Sequence, residues 1–260
     1  MTTTLSRRLE SIEDLNFSAV LSDLDGVVYR GEEAVPGAVA RFRAWQAQGT
    51  PYCFVTNNAE KSADAFAEKI RGLGIACRPQ QVVTSGDVAL DYLQTRFAPG
   101  ERVYVIGSSS LKDRVRELGY RLAETEAAAV LVALDRQFDY AMMTVALGNI
   151  LGGAELIGTN PDLIRPLADG FEPGAGAITQ SIAAASGATP IFLGKPDPAI
   201  LNTAMTRLGA SPQTTIMLGD KLDTDIVAAQ RAGVVSVFME TGVPLDTTSP
   251  VRPDHILARL

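Results

Sequence analysis

Basic residues, cysteines and histidines are scarce in this chain of 260 residues, and no long hydrophobic run appears anywhere. Lysine and arginine number 23 against 30 aspartates and glutamates, a formal charge of −7. That balance speaks against nucleic acid or an anionic membrane as the main partner, since both bind through a basic face. A small anionic ligand stays admissible, because one local pocket can oppose the global sign. The two cysteines, Cys53 and Cys77, are too few for a disulfide framework, and a reducing, cytoplasmic setting is the expectation. The only histidine, His255, stands in the C-terminal tail, so neither a histidine nor a thiol cluster is at hand for a metal. The start, MTTTLSRRLESIEDL, has no apolar segment of signal-peptide type. The longest apolar run, from Ala127 to Leu134, falls far short of a membrane span.

What is present is the makings of a core. Hydrophobic residues make up 46% and charged residues 20%, which is the balance of an ordinary globular protein. Short apolar runs alternate with helical patterns, the signature of an α/β protein with parallel strands. Strands are predicted at 18–23, 52–56, 190–193, 215–218 and 234–238. Helices are predicted at 35–48, 62–73, 197–208 and 223–232, each stopped by a glycine. A second set of strands (82–84, 102–106, 128–133, 155–157) and two helices (109–118, 140–151) lies in the middle. The arrangement implies a parallel-sheet core in two segments, 1–81 and 179–260. A second domain, 82–178, is inserted between them, and the chain is expected to return through EPGAGA, Glu172 to Ala177.

Four stretches each follow a predicted strand and carry polar chemistry. They are Asp23-Leu24-Asp25-Gly26, Thr56-Asn57-Asn58, Gly194-Lys195-Pro196 and Gly219-Asp220 through Asp225. In open parallel sheets the carboxyl ends of the strands are where ligands bind, so stretches far apart in sequence are able to meet on one rim. Alone, each is an ordinary turn or helix cap; all four in this order imply one site. Asp23, Asp25, Asp220 and Asp225 would then gather four negative charges. Two unit charges about 4 Å apart repel by about 4 kcal/mol at an effective dielectric near 20, so cations are needed. Lys195 and one divalent metal would offset three of the four, and an all-oxygen donor set selects Mg²⁺ over zinc. Hydroxyl, amide, ammonium and metal together suit a phosphoryl group. An aspartate is ionised at neutral pH and able to act as nucleophile, and a second carboxylate two residues on is placed to move the proton.

At these residues the sequence resembles the haloacid dehalogenase superfamily of aspartyl-phosphate phosphohydrolases. It is most similar to the class II, subclass A branch of NagD-like nucleotidases, p-nitrophenyl phosphatases and pyridoxal phosphatase. The matching stretches are SDLDGVVYRG, FVTNNAEKS, VVTSGD, GTNPD, PGAGA, GKPDPAI and GDKLDTDI, spread over nearly the whole chain. The resemblance implies a Rossmann-like core with a large inserted α/β cap domain, and a Mg²⁺-dependent phosphatase acting on a small phosphorylated metabolite. It implies that Asp23 is the nucleophile and a metal ligand, and that Asp25 is the acid/base and ligates metal through its carbonyl. Thr56, Asn57 and Asn58 would bind the phosphoryl group, Lys195 would tie it to Asp23, and Asp220 and Asp225 would hold the metal. A homodimer through the cap is a further implication. A phosphotransferase or mutase, and a ligand-binding member without turnover, stay open as alternatives. Asp135, Arg136 and Phe138 are expected to face the substrate, Thr159 to Asp162 to fix the join of cap and core, and the stretch Gly107 to Lys112 and Asp223 to cap helices.

Overall fold

The computed structural model describes residues 6–167 and 170–260; the first five residues, part of the stretch read above for a leader, lie outside it. In chain order come β1 (Arg7–Leu9), β2 (Ala19–Ser22), a hairpin of β3 (Tyr29–Arg30) and β4 (Glu33–Ala34), α1 (Ala38–Gln48), β5 (Tyr52–Thr56), α2 (Ala63–Gly72) and β6 (Val82–Thr84). Then follow α3 (Ser85–Arg96), β7 (Arg102–Ile106), α4 (Ser109–Glu117), β8 (Arg121–Leu122), β9 (Ala129–Val132), α5 (Tyr140–Leu151) and β10 (Glu155–Gly158). A hairpin of β11 (Ile164–Leu167) and β12 (Gly170–Pro173), α6 (Ala175–Ser186) and β13 (Ile191–Phe192) complete the middle. The chain ends with α7 (Ala199–Leu208), β14 (Thr215–Gly219), a π turn (Leu222–Ile226), α8 (Val227–Ala232), β15 (Val235–Met239) and β16 (His255–Leu257).

These elements form two compact units. The first comprises Met1–Thr56, Ala63–Val83 and Lys195–Leu260; the second comprises Asn57–Ser62 and Thr84–Gly194. The first is built on a seven-stranded sheet in the order β1-β16-β15-β14-β2-β5-β6. Its central pairs are parallel, with Leu218 beside Ser22 and Ser22 beside Phe54. Val20, Leu21, Cys53, Phe54, Met217 and Leu218 are wholly buried, as strands covered on both faces must be. Behind β5 lies an aromatic cluster, edge to face at Phe42–Trp45 and Phe42–Tyr52 and tilted at Phe42–Phe54. Phe42 lies 5.0 Å from Trp45, 5.2 Å from Tyr52 and 5.0 Å from Phe54.

The second unit has its own parallel sheet, β13-β10-β9-β7-β8. Ile178, Ile182 and Ala183 of α6 pack with Ile150 of α5 and with Val130, Val132 and Leu156 of the sheet. Three sequence expectations are corrected here. The run at 82–84, expected in the inserted block, is the edge strand of the first sheet, and Val82 joins that core. The run at 190–193, expected in the first sheet, pairs with β10 instead: Ile191 lies beside Ile157 and Phe192 beside Gly158. EPGAGA does not carry the chain back; Ala175 opens α6, and the chain leaves the second unit only after Gly194. The physical reason is burial. The apolar face of α6 finds its partners on β9, β10 and α5, so the segment stays with them. In the first sheet the strands β1 and β16 were not foreseen; they pair in parallel at one edge.

Candidate active site

Three neighbours in the first sheet, β14, β2 and β5, run the same way, so their C-terminal ends share one rim. The sheet grows from β2 through β5 to β6 on one side and from β14 through β15 to β16 on the other. That reversal of winding beside β2 leaves a crevice at the carboxyl ends. Asp23 follows β2, Thr56 ends β5 and Asp220 follows β14. The Asp23 N–H extends the ladder by donating to the Leu218 carbonyl at 2.8 Å, which fixes where its side chain leaves the sheet.

Lys195 is wholly enclosed among acceptors. Its Nζ lies 2.7 Å from Oδ1 of Asp23 and 2.7 Å from Oδ1 of Asp225, and it donates to the Val55 carbonyl at 3.3 Å. Asp225 reaches back from the π turn, and its Oδ2 accepts the N–H groups of Asp220 (3.0 Å) and Lys221 (3.1 Å). Gly219 permits this return, since a Cβ there would strike the Asp225 side chain. Oδ2 of Asp220 accepts from the Val243 N–H at 2.9 Å, whereas Oδ1 is buried with no hydrogen-bond partner. Gly26 has φ +80°, and a side chain on it would collide with the Asp220 carboxylate. Its carbonyl accepts from Thr241 Oγ1 at 2.7 Å.

The electrostatics follow from burial. Asp23, Asp220, Asp225 and Lys195 are all buried, and three carboxylates against one ammonium leave an excess of two negative charges. Burial, opposed by Lys195 and aided by Asp225 and Asp220, pushes the Asp23 carboxyl up to about 8. Burial and the Asp225 charge push Asp220 up to about 6. Burial works against the Lys195 ammonium, but Asp225 and Asp23 overcome it and hold its pKa above the ordinary lysine value. Oxygens of Asp23, Asp220 and Asp225 lie within 4.8 Å of one another. A dication among them would restore neutrality and give Asp220 Oδ1 the partner it lacks. All-oxygen donors suit a hard divalent cation. The residues therefore fit a metal.

The sequence expectation of four gathered acids becomes three: Asp25 is exposed, and its carboxylate is not in the cluster. Thr56 is buried at the end of β5. Asn57 and Asn58 belong to the second unit. The Asn57 carbonyl accepts from Ser85 Oγ (2.6 Å) and Asn160 Nδ2 (2.7 Å), and its Nδ2 donates to Asp162 (3.1 Å). Asn160 and Asp162 thus anchor Asn57 within one unit. Ser108 caps α4 through the Leu111 N–H. Asp223 does not cap; Lys221 holds the N-cap of the π turn and Asp223 lies inside its first turn. Arg136 is engaged by Glu172 at 2.8 Å and by Glu60. Thr241 and Val243 were missed. The only signal in the sequence was the small, polar Thr241-Gly242 just past β15, and the Val243 contact uses a backbone N–H that no residue type announces.

Comparison with known proteins places these features. A haloacid dehalogenase-like hydrolase family model matches residues 20–121, and a second model of HAD-like hydrolases matches residues 192–260. An acid sugar phosphatase from Staphylococcus aureus is 36% identical over 228 residues, 87% of this chain and 88% of the relative. The structure of a thermostable NPPase from Geobacillus stearothermophilus superposes with a TM-score of 0.87 at 34% identity, covering 94% of this chain and 96% of that one. A glycerol phosphate phosphatase from Mycobacterium tuberculosis, solved in complex with magnesium, gives 0.82 at 32% identity, with 93% of this chain and 74% of that one covered. The chain belongs to the haloacid dehalogenase-like hydrolases. Its relatives are phosphatases, and this enzyme is a phosphoric monoester hydrolase. Among the described residues no helix is long and apolar enough to cross a membrane.

Proposed function

We propose that the enzyme hydrolyses a small-molecule phosphomonoester in two steps, with Mg²⁺ bound and phosphate carried transiently on Asp23. The observation that bears most weight is the buried excess of two negative charges around Asp23, with Asp220 Oδ1 unpartnered. Asp23, Asp220 and Asp225, with the Asp25 carbonyl, would hold the ion. When bound, Mg²⁺ supplies the positive charge that keeps Asp23 ionised and neutralises phosphoryl oxygens.

In the first step an Asp23 carboxylate oxygen attacks phosphorus. The bond from phosphorus to the leaving oxygen breaks, and Asp25 gives that oxygen a proton. In the second step Asp25, now ionised, takes a proton from water as the water attacks the same phosphorus, and the bond to Asp23 breaks. Inorganic phosphate leaves and both aspartates return to their starting state. Lys195 keeps Asp23 in line through both steps, since its ammonium is fixed to Asp23, Asp225 and Val55 together. Thr56, buried at the end of β5, takes the role of phosphoryl ligand.

The test is Asp23→Asn, assayed by p-nitrophenyl phosphate turnover in Mg²⁺ with circular dichroism as the control for folding. Turnover is expected to vanish in a folded protein; wild-type-like turnover would refute the assignment. Phosphate release compared with transfer to an added alcohol separates hydrolysis from phosphotransfer.

A further inference from the structure

The segment that carries Asp25 is a turn wound on itself. The N–H groups of Val28 and Tyr29 donate to the Leu24 carbonyl at 2.9 and 3.2 Å, and the Gly26 N–H donates to the Tyr29 carbonyl at 2.8 Å. Asp25 and Tyr29 form an isolated parallel bridge. The placement of Asp25 is therefore coupled to where Tyr29 sits. Tyr29 is buried and opens the β3–β4 hairpin, whose two-residue turn is Gly31-Glu32. Only Arg30 and Glu33 pair beyond Tyr29 and Ala34, and so short a hairpin has little stability of its own.

A side chain from another element reaches this hairpin. Lys69, in the last turn of α2, places its Nζ 4.1 Å from the centroid of the Tyr29 ring. The same Nζ donates to the Gly31 carbonyl at 2.6 Å and to Glu32 Oε1 at 3.2 Å. A cation over a ring face is attracted by its quadrupole, and a charged donor to a carbonyl is a strong hydrogen bond. Glu32 is almost fully exposed, and its pair with Lys69 adds little. The ring and the carbonyl are what Lys69 clamps, one on each side of Arg30.

We infer that Lys69 is a positioning residue for Asp25: by clamping Tyr29 and the Gly31 turn it keeps the Asp25 carboxyl where a proton can reach the leaving oxygen. The inference rests on the reading of Asp25 as the acid. It requires Lys69 to matter in proportion to how much the leaving group needs a proton. p-Nitrophenolate departs readily as an anion; phenolate, with a pKa of about 10 like that of tyrosine, needs the acid.

The experiment follows leaving-group release in single turnovers, with enzyme in excess and Mg²⁺ present, for phenyl phosphate and p-nitrophenyl phosphate. Wild type, Asp25→Asn, Lys69→Met, Lys69→Gln and Lys69→Arg are compared, each with its unfolding midpoint. General acid catalysis contributes roughly 100- to 10,000-fold, so a displaced acid is expected to slow phenyl phosphate about tenfold in Lys69→Met and Lys69→Gln. The loss on p-nitrophenyl phosphate should be several-fold smaller, and Lys69→Arg, which keeps a cation and a donor, should restore the ratio. A purely structural role would lower both rates by one common factor. Equal losses in the Lys69 variants, while Asp25→Asn does discriminate, would overturn the inference and leave the reading of Asp25 intact. An Asp25→Asn variant that fails to discriminate would remove that reading and the inference with it.

Discussion

At the scale of single residues, the site is defined by which oxygens are satisfied. Asp225 receives two backbone N–H groups and faces Lys195, whereas Asp220 receives one N–H on Oδ2 and none on Oδ1. Without metal, Asp220→Asn removes one carboxylate from a buried cluster that sets three against one ammonium. The Asp220→Asn protein is therefore expected to melt higher than wild type in chelator and to lose the upward shift that Mg²⁺ gives wild type; paired melts with and without Mg²⁺ read both effects. A second residue-scale expectation concerns the thiols. Burial pushes Cys77 up to about 12, and Cys53 is wholly buried. The thiolate is the reactive form, so neither cysteine should react with Ellman's reagent at pH 8 in the native protein, and both should titrate in guanidinium. Of the site, Asp23, Thr56, Lys195, Asp220 and Asp225 were legible in the sequence because polar residues closing apolar runs have no place in a strand interior. Lys69 was not legible. It is one lysine on a helix, and nothing in its neighbourhood reveals that a ring and a carbonyl lie opposite it.

At the scale of elements, α1 meets β5 through aromatic rings. Phe42 and Trp45 of that helix close the aromatic cluster on Tyr52 and Phe54. Removing a buried aromatic ring costs about 3–5 kcal/mol. Phe42→Ala should lose about that much in urea unfolding, and its turnover should fall with the fraction folded. In the second unit, Glu60, Arg136, Arg165 and Glu172 form an alternating quartet that ties the loop before α2 to the β11–β12 hairpin. A hydrogen bond from Arg136, working against burial, holds the Glu172 carboxyl below the usual range. A lowered folded-state pKa means stability that is present above about pH 4.3, the unfolded value, and is lost as pH falls through the folded one. The destabilisation caused by Arg136→Ala should accordingly be small at pH 7, since the pair is half exposed, and smaller still near pH 3. Melting curves at the two pH values check the sign. Arg136, expected from sequence to face the substrate, is engaged by two carboxylates, Glu60 and Glu172. Strand pairing was the other weak point. The three residues Val82–Thr84 form an apolar run that suits either sheet, and only the neighbour it meets decides.

At the scale of the whole molecule, all three clustered carboxylates lie in the first compact unit, as does Trp45, the only tryptophan. The proposed Mg²⁺ site and Trp45 thus lie in the same unit. A ligand that binds only the folded state at about 100 times its Kd stabilises by about 2.7 kcal/mol. Urea unfolding followed by Trp45 emission should shift by about that amount under such saturation, and Asp23→Asn or Asp220→Asn should shrink the shift.

The sequence by itself determined the α/β class and the insertion of one sheet-bearing segment into another. It also determined the residues that close β2, β5 and β14. Those follow from local pattern: apolar runs of strand length, glycine stops, and charge where burial would otherwise forbid it. Only the tertiary structure decided which sheet each short strand joins and how far the inserted unit extends. It alone set aside the Asp25 carboxylate, left Asp220 Oδ1 without a partner, and set Lys69 over Tyr29. These depend on contacts between segments tens to hundreds of residues apart, and no local pattern carries the energy of a contact whose partner is elsewhere in the chain.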